Sequence, residues 1–237
     1  MAVTTIVNPV PPLNFRDIGG LPTDAGLTTQ PNVLFRSDVL YAGDQPGAET
    51  WPPVTVIDLR RAQERTEFDL AWPDTTTVHH LGFLDPIMTS SSRSLAELYL
   101  RLLTAGADTI AGIVTIAANT RGPVLVHCAA GKDRTGIVTA VLLRAAGVTR
   151  DAVVADYLAS GATARRRRER VAAFGLELQD SAVPDEFFDV SVDAINAVLD
   201  AVGGPASDGA ISDWLIAHRI DEPAIAAWTQ RLTGSER

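Results

Sequence analysis

Short apolar runs separated by polar stretches predict the strands of a buried sheet. Val54-Thr-Val-Ile-Asp-Leu-Arg is β-branched and apolar, which is typical of a strand inside a parallel sheet. Pro123-Val-Leu-Val-His predicts a second buried strand, and residues 75–81 predict another. Two shorter strands are expected at Val33-Leu-Phe-Arg-Ser and at Asn14-Phe-Arg-Asp-Ile-Gly-Gly-Leu, where the second ends in a glycine turn.

Helical spacing dominates the rest of the chain. Apolar residues recur every three or four positions from Ser94 to Ala118, with a break expected near Gly106. A helix is expected from about Thr135 to Ala146, stopped by Gly147. Further helices are predicted at 151–160, 162–174, 184–202 and 212–232.

Strands that alternate with helices, followed by helices alone, predict an α/β fold. We expect a central, mostly parallel sheet flanked by helices, a glycine-containing loop between a strand and a helix at residues 127–136, and a helical C-terminal part. Residues 1–13 are expected to form an extended arm, and residues 184–237 to pack on the same domain. With 237 residues, 46% of them apolar, the chain has enough material for one domain.

Charge and cysteine content narrow the class of protein. A net charge of -9 argues against nucleic acid as a partner, because binding the phosphate backbone needs a basic surface. A single cysteine excludes an intramolecular disulfide. The start of the chain lacks the features of a signal peptide, and the apolar segment 137–148 is too short to span a bilayer. We expect a cytoplasmic protein without a transmembrane segment, although export without a cleaved signal stays open.

The residues that carry chemistry are concentrated in His127-Cys-Ala-Ala-Gly-Lys-Asp-Arg-Thr-Gly136, between an apolar strand and a helix. A loop in this position directs backbone N–H groups and the positive end of a helix toward one point, which makes an anion site. We call residues 127–136 the phosphate loop. The same surroundings lower the pKa of a thiol from about 8.5, so Cys128 is expected to be a thiolate nucleophile.

The other members of the loop each have an expected role. Arg134, separated from the cysteine by five residues, supplies a planar charged fork for two phosphate oxygens. Gly131 lets the backbone turn toward the ligand, and Gly136 lets the helix pack close to the loop. Thr135 is expected to hydrogen-bond the thiolate. His127 is interpreted as a structural hydrogen-bonding residue, not a catalytic base.

The loop resembles the signature of cysteine-dependent protein phosphatases, His-Cys-x5-Arg-[Ser/Thr]-Gly. Its longer form, His127-Cys-x-Ala-Gly-Lys-Asp-Arg-Thr-Gly, is similar to a bacterial tyrosine phosphatase family with mycobacterial members. The motifs Asn14-Phe-Arg-Asp-Ile-Gly-Gly, Leu34-Phe-Arg-Ser, Asp58-Leu-Arg and Ala155-Asp-Tyr-Leu agree in order. The resemblance implies hydrolysis of phosphotyrosine, often with phosphoserine, phosphothreonine and phosphoinositides, without a metal or cofactor. The expected partner is a phosphorylated protein or a phosphoinositide, bound by His127, Ala129, Ala130, Gly131, Lys132, Thr135 and Gly136.

Two rival functions fit parts of the loop. A phosphate-binding module without turnover would need the proton donor to be missing, and a sulfur-transfer enzyme also places a cysteine ahead of a helix. The arginine and Thr135 favour phosphate chemistry over sulfur transfer.

Three aspartates compete for the role of the general acid that protonates the leaving group. Asp74 in Trp-Pro-Asp matches the letters of the acid loop in animal tyrosine phosphatases, but it precedes a predicted strand instead of following one. Asp85 in Gly-Phe-Leu-Asp-Pro follows that strand, and Asp133 lies inside the phosphate loop. Asp133 and Asp85 stay open as alternatives; Asp133 could instead form a salt bridge to a neighbouring arginine or cap the following helix.

Other charged residues have weaker signals. Lys132 is expected to add positive potential over the phosphate, with a solvated loop charge as the alternative. The basic run Arg165–Arg170 could contact acidic lipid headgroups or simply be a solvated helix face. Arg16, Arg36 and Arg60 could pair with Asp17, Asp58 or Glu64, whereas His79 and His80 lack the spacing of a zinc site.

One departure from the mycobacterial relatives concerns the cover of the site. Only a short stretch separates Pro86 from Val124, where those relatives have a long insertion that forms a helical lid. If residues 94–103 are all that remains of it, a more open pocket is expected.

Overall fold

The structure is a computed structural model that describes residues 12–42, 44, 46–47, 51–67, 70–83, 92–163, 166, 189–204 and 210–235. In these residues one five-stranded sheet has the order β1-β2-β5-β3-β4. All neighbouring strands are parallel except β1 and β2, which confirms the mostly parallel sheet. The strands are β1 (Arg16–Asp17), β2 (Leu34–Ser37), β3 (Thr55–Asp58), β4 (Thr77–His80) and β5 (Val124–His127).

Helices flank this sheet and make up the C-terminal part, as predicted. Four of the described helices begin with a side-chain cap, from Ser94, Thr149, Ser191 and Asp221. Ser94, for example, accepts a hydrogen bond from the Glu97 N–H at 3.2 Å. The helices in the described residues are α1 (Ala62–Glu67), α2 (Leu95–Asn119), α3 (Asp133–Ala145), α4 (Arg150–Ala159), a 3₁₀ turn (Ser160–Thr163), α5 (Val192–Gly203), α6 (Ala210–Ala217) and α7 (Glu222–Thr233).

Two helix predictions were wrong. The expected break near Gly106 does not occur, since α2 continues through this residue. The glycine leaves room for the Phe83 ring, which would lie 2.7 Å from an added Cβ. The single helix predicted at 212–232 is two helices, α6 and α7. Arg219 has φ +67 between them, and the Asp221 side chain caps the start of α7.

Some predicted segments fall partly outside the described residues. Residues 1–11 of the predicted arm lie there, as does most of the helix predicted at 162–174. The described start of that helix, residues 162–163, belongs to the 3₁₀ turn. Residues 184–188 of the helix predicted at 184–202 also lie outside the described residues. Residues 189–191 are not helical, and α5 begins at Val192, where the Ser191 side chain accepts a hydrogen bond from the N–H of Ala194.

The core is built around α2, which is buried along one side from Leu95 to Ala117. The C-terminal helices share this core, since Trp228 of α7 is fully buried and donates from Nε1 to the Leu142 carbonyl of α3 at 2.7 Å. Among the described helices, α2 alone is long and apolar enough to cross a membrane, and half of its most apolar stretch is buried in the protein.

The register of the sheet brings functional side chains to one edge. Ser37 of β2 and Asp58 of β3 both pair with His127 of β5, and Asp58 also pairs with His80 of β4. Because these strands are parallel, all four residues lie at their carboxyl ends. This edge of an α/β sheet is where ligands bind.

Candidate active site

The phosphate loop joins the carboxyl end of β5 to the first turn of α3. Cys128 is buried, and its Sγ accepts a hydrogen bond from the N–H of Gly131 at 3.2 Å. Gly131 has φ +68, and a Cβ there would lie 2.5 Å from both the Ser37 carbonyl oxygen and the Asp38 nitrogen. Glycine is therefore required for the loop to turn back over the sulfur.

Residues far apart in the sequence hold this turn through hydrogen bonds to one backbone carbonyl. The carbonyl oxygen of Gly131 accepts hydrogen bonds from Asn14 Nδ2 at 2.8 Å and from Arg36 Nη2 at 2.7 Å. Asp156 accepts from Arg36 Nη1 at 2.5 Å and from Arg16 Nε at 2.7 Å. These residues come from three of the sequence motifs, so the motifs converge on one carbonyl of the phosphate loop.

The ion pairs of this framework differ in part from those expected. The Arg16 guanidinium pairs with Asp156, 140 positions away, and not with the adjacent Asp17. The Asp17 carboxylate instead accepts the N–H groups of Gly19 and Asn32. Burial alone would raise the pKa of Asp156, but the charges and hydrogen bonds of the two arginines hold it below its usual value.

Arg134 is buried and is held in one orientation. Its Nη1 donates to the Leu59 carbonyl at 2.8 Å and to Glu64 Oε2 at 2.8 Å, and its Nη2 donates to Glu64 Oε1 at 2.7 Å. Guanidinium has five donors, so the Nε–H and the second Nη2–H remain, without a partner in the described part of the chain. These two N–H groups point to the same side of the planar group and form the fork that suits two phosphate oxygens.

The charges around Arg134 reinforce its protonated form. Burial would lower the pKa of Arg134, but the electrostatic interactions with Cys128, Glu64 and Asp133 and the hydrogen bonds to Glu64 raise it above its usual value. Burial would likewise raise the pKa of Glu64, yet the hydrogen bonds and charge of Arg134 lower it to about 2. The two side chains therefore form a fixed ion pair beside the sulfur.

A second buried group lies under the loop at the ends of β3 and β5. Burial lowers the pKa of His127 to about 4, and the charge of Asp58 only partly offsets this. Burial would raise the pKa of Asp58, but hydrogen bonds from Arg60 lower it to about 2. The neutral His127 ring lies 3.9 Å from Asp58 and 3.4 Å from the Cys128 carbonyl, which supports a structural role.

Asp133 begins α3, and its half-buried carboxylate faces a group of hydrogen-bond donors. Oδ1 accepts from the Tyr99 hydroxyl at 2.8 Å and lies 3.4 Å from Lys132 Nζ. Lys132 is buried and also donates to the Asp189 carbonyl at 3.0 Å, so it is not the solvated loop charge considered as an alternative. The start of α3 has no side-chain cap, because the residue before the helix is Lys132. The Asp133 side chain accepts from Tyr99, so the predicted capping role is not seen.

Asp85 and Asp74 are the other two candidates for the general acid. Asp85 lies outside the described residues. Asp74 lies before β4 and lines a surface depression with Trp72 and His80, and no described contact joins it to the phosphate loop. The basic run Arg165–Arg170 also lies outside the described residues, apart from Arg166.

Two expectations for the loop need correction. The Thr135 hydroxyl does not hydrogen-bond the sulfur; it is buried without a hydrogen-bond partner in the described part of the chain. The helix starts at Asp133, two residues earlier than predicted, which places Thr135 inside its first turn. Gly136 permits close packing as expected, but against the Tyr157 ring of α4, which an added Cβ would approach to 3.0 Å.

Sequence reasoning missed three residues of this site. Glu64 was considered only as a partner for other arginines, although it follows the strand that ends beside the loop. Asp156 stands in a quoted motif but had no assigned role. Tyr99 gave no signal, because an aromatic residue at helical spacing indicates only a core position.

The described residues contain no group of three or more histidine, cysteine or carboxylate side chains that could hold a metal ion. A parallel sheet that presents a thiol, an arginine fork and an aspartate around one helix start is the arrangement expected of the class of cysteine-dependent phosphatases.

Comparisons with known proteins give the family. Residues 11–234 match the tyrosine phosphatase family. The chain is 32% identical to the triple specificity protein phosphatase PtpB of Mycobacterium tuberculosis, over 67% of this chain and 70% of that protein. It is 37% identical to a tyrosine-protein phosphatase of Nostoc commune, over 44% of this chain and 39% of that protein. The chain belongs to the tyrosine phosphatase family and is a phosphatase.

Proposed function

We propose that this phosphatase hydrolyses phosphotyrosine in proteins through a cysteinyl-phosphate intermediate. The Cys128 thiolate attacks phosphorus, the bond between phosphorus and the ester oxygen breaks, and protonated Asp133 gives its proton to the leaving phenoxide. Water then attacks phosphorus and Asp133 takes a proton from it. The bond between sulfur and phosphorus breaks, which releases phosphate and restores the thiolate.

The observation that carries this proposal is a sulfur held by one loop N–H, with a buried arginine that interacts with its charge. The Gly131 N–H fixes Cys128 Sγ at 3.2 Å, and Glu64 and the Leu59 carbonyl turn the remaining fork of Arg134 away from themselves. A phosphoryl group held by that fork and by the loop amides would meet the sulfur directly. The same positive groups would stabilise the charge that develops on the phosphoryl oxygens.

The substrate class rests on the family and on the relatives' names. The family description and the Nostoc commune relative favour phosphotyrosine, and the Mycobacterium tuberculosis relative is named as a phosphatase of triple specificity. Phosphoserine, phosphothreonine and phosphoinositides are therefore the further substrates to test. Initial rates on matched phosphotyrosine and phosphoserine peptides and on a short-chain phosphoinositide would rank the three classes. A higher kcat/KM for the phosphoinositide than for the phosphotyrosine peptide would show that the proposed substrate class is wrong.

The mechanism is tested by trapping the intermediate. Rapid mixing of the wild-type protein with p-nitrophenyl phosphate should give a burst of nitrophenol, and acid quenching followed by mass spectrometry should find the phosphate on Cys128. Cys128→Ser should lose both the burst and turnover, and Arg134→Lys should lose most of kcat/KM. Full turnover by Cys128→Ser, or complete loss of wild-type activity with a chelator, would overturn the mechanism.

A further inference from the structure

A chain of hydrogen bonds leads from the backbone before α5 to the carboxylate at the start of α3. The Ser191 N–H donates to the Tyr157 hydroxyl at 3.3 Å, and the Tyr157 and Tyr99 hydroxyls lie 2.9 Å apart. Tyr99 then donates to Asp133 Oδ1 at 2.8 Å. A backbone N–H can only donate and an ionised carboxylate can only accept, so the ends fix the direction. Tyr157 must donate to Tyr99, and Tyr99 to Asp133.

The two tyrosine rings are rigidly packed. Tyr99 and Tyr157 are buried on α2 and α4, and their rings meet edge to face with centroids 5.9 Å apart. Gly136 of α3 leaves room for the Tyr157 ring beside it. Because three helices fix these rings, the Tyr99 hydroxyl presents its proton to Asp133 from one direction.

The chain fixes one oxygen of the carboxylate and leaves the other for chemistry. Oδ1 of Asp133 has Tyr99 and Lys132 Nζ beside it, whereas Oδ2 has no hydrogen bond from the described residues. A carboxylate held at one oxygen cannot rotate freely, and a proton on the other oxygen keeps a constant direction. Orienting a reacting group in this way can raise the rate of proton transfer by more than the small stabilisation from the hydrogen bond suggests.

We propose that Tyr99 and Tyr157 are positioning residues that orient Asp133 for proton transfer to the leaving group; the inference rests on the acid role of Asp133 in the proposed function. Burial raises the pKa of Tyr99 well above its usual value, and it raises the pKa of Tyr157 to about 12. Both phenols therefore stay protonated, as donors, over the range in which a phosphatase is assayed.

The test uses leaving groups that need a proton to different degrees. A series of aryl phosphates from 2,4-dinitrophenyl to phenyl is mixed rapidly with the full-length protein, and the rate of the burst phase is measured. Without an oriented acid the rate should fall more steeply as the leaving phenoxide becomes more basic. For Tyr99→Phe we expect a loss of about tenfold to hundredfold in the burst rate with phenyl phosphate and less than about threefold with the dinitrophenyl ester. The substrate concentration that half-saturates the burst rate should be unchanged.

Further variants separate positioning from general destabilisation. Asp133→Asn should show the same steepening in a stronger form, and adding Tyr99→Phe to it should cause little further loss, because both changes remove one function. Tyr157→Phe should steepen the dependence less, since Tyr99 keeps its own proton. Trp228→Phe removes a different buried hydrogen bond, to Leu142 at the far end of α3, and should leave the dependence unchanged.

The outcomes distinguish failure of this inference from failure of the proposed function. If Asp133→Asn steepens the dependence and neither tyrosine variant does, the positioning role is wrong and the acid role stands. If Tyr99→Phe slows all esters equally, as a purely structural change would, the positioning role is also wrong. If Asp133→Asn leaves the dependence unchanged, the acid role fails and this inference fails with it.

Discussion

Arg36 lies fully buried beneath the phosphate loop and donates from Nη2 to the carbonyl oxygen of Gly131 at 2.7 Å. This contact turns a carbonyl away from the substrate side, where its negative end would repel a phosphate. Asp156 neutralises the arginine, so that the charge is compensated where water cannot reach it. The Arg36–Asp156 ion pair thus orients the peptide group of Gly131 and does not itself bind the ligand.

Loss of that arginine should be costly for both stability and binding. Arg36→Met leaves the Gly131 carbonyl without one donor and Asp156 with only Arg16 as its partner. We expect the free energy of unfolding to fall by about 3 kcal/mol and the affinity for vanadate to fall by at least tenfold. Urea denaturation and inhibition assays measure the two effects. Arg144→Met, at a partly exposed pair with Asp24, is the control and should change the affinity for vanadate little.

The turn at Gly131 should tolerate no side chain. Gly131→Ala adds a Cβ that would meet the Ser37 carbonyl and the Asp38 nitrogen at 2.5 Å, in addition to the strain of φ +68. Gly147→Ala is the matched control, because it has φ +76 with nothing within 4 Å of the added atom. The control should lose about 1 kcal/mol of stability and keep its kcat. Gly131→Ala should lose kcat/KM by more than a hundredfold; near wild-type activity in this variant would show that the loop can relax.

The phosphate loop could be predicted from the sequence because its residues are neighbours along the chain. A strand, a turn with glycine and a helix start follow one another, and local geometry alone brings Cys128 and Arg134 to one point. The strands at 55–58 and 124–127 could also be predicted from the sequence, since a short run of apolar residues between turn signals is typical of a buried strand.

The partners of the loop could not be predicted, because the sheet and helix packing set them. Arg16 has an acidic neighbour in the sequence, yet β1 points its side chain toward α4 and Asp156. Tyr99 has the spacing of a core residue, and nothing in that pattern shows what its hydroxyl would meet. The break between α6 and α7 was missed for a local reason, since an apolar pattern of helical period spans it.

The orientation of Arg134 should depend on the negative charge of Glu64. Glu64→Gln keeps the size of the side chain but replaces one of the two acceptor oxygens by an NH2 group, which cannot accept from the guanidinium. The free fork of Arg134 is then less well oriented. We expect kcat to fall by about tenfold to hundredfold. Glu97→Gln is the control, since Glu97 forms an exposed i,i+4 pair with Arg101, and its kcat should stay within about twofold of wild type.

The same pair should also show in the pH dependence of stability. Glu64 has a pKa of about 2 in the folded protein against 4.5 for the unfolded chain. Its stabilisation is therefore present in full above pH 4.5 and is lost as the pH falls toward 2. The difference in unfolding free energy between wild type and Glu64→Gln, measured by urea denaturation, should be constant at neutral pH and shrink below 4.5. A difference that grows on acidification would contradict the ion pair.

His127 should make the protein sensitive to acid in a higher window. Burial lowers its pKa from 6.5 to about 4, so the unfolded chain takes up a proton first as the pH falls. The stability that this group contributes is then fully present above pH 6.5 and declines toward pH 4, by about 2 to 3 kcal/mol. His127→Gln should lack that decline, whereas the other histidines contribute equally to both proteins. The control is His218→Gln, at an exposed contact with Asp108, which should decline as wild type does. Parallel curves for wild type and His127→Gln between pH 6.5 and 4.5 would mean that His127 is protonated in the folded state, and its assignment as a neutral structural residue would then be wrong.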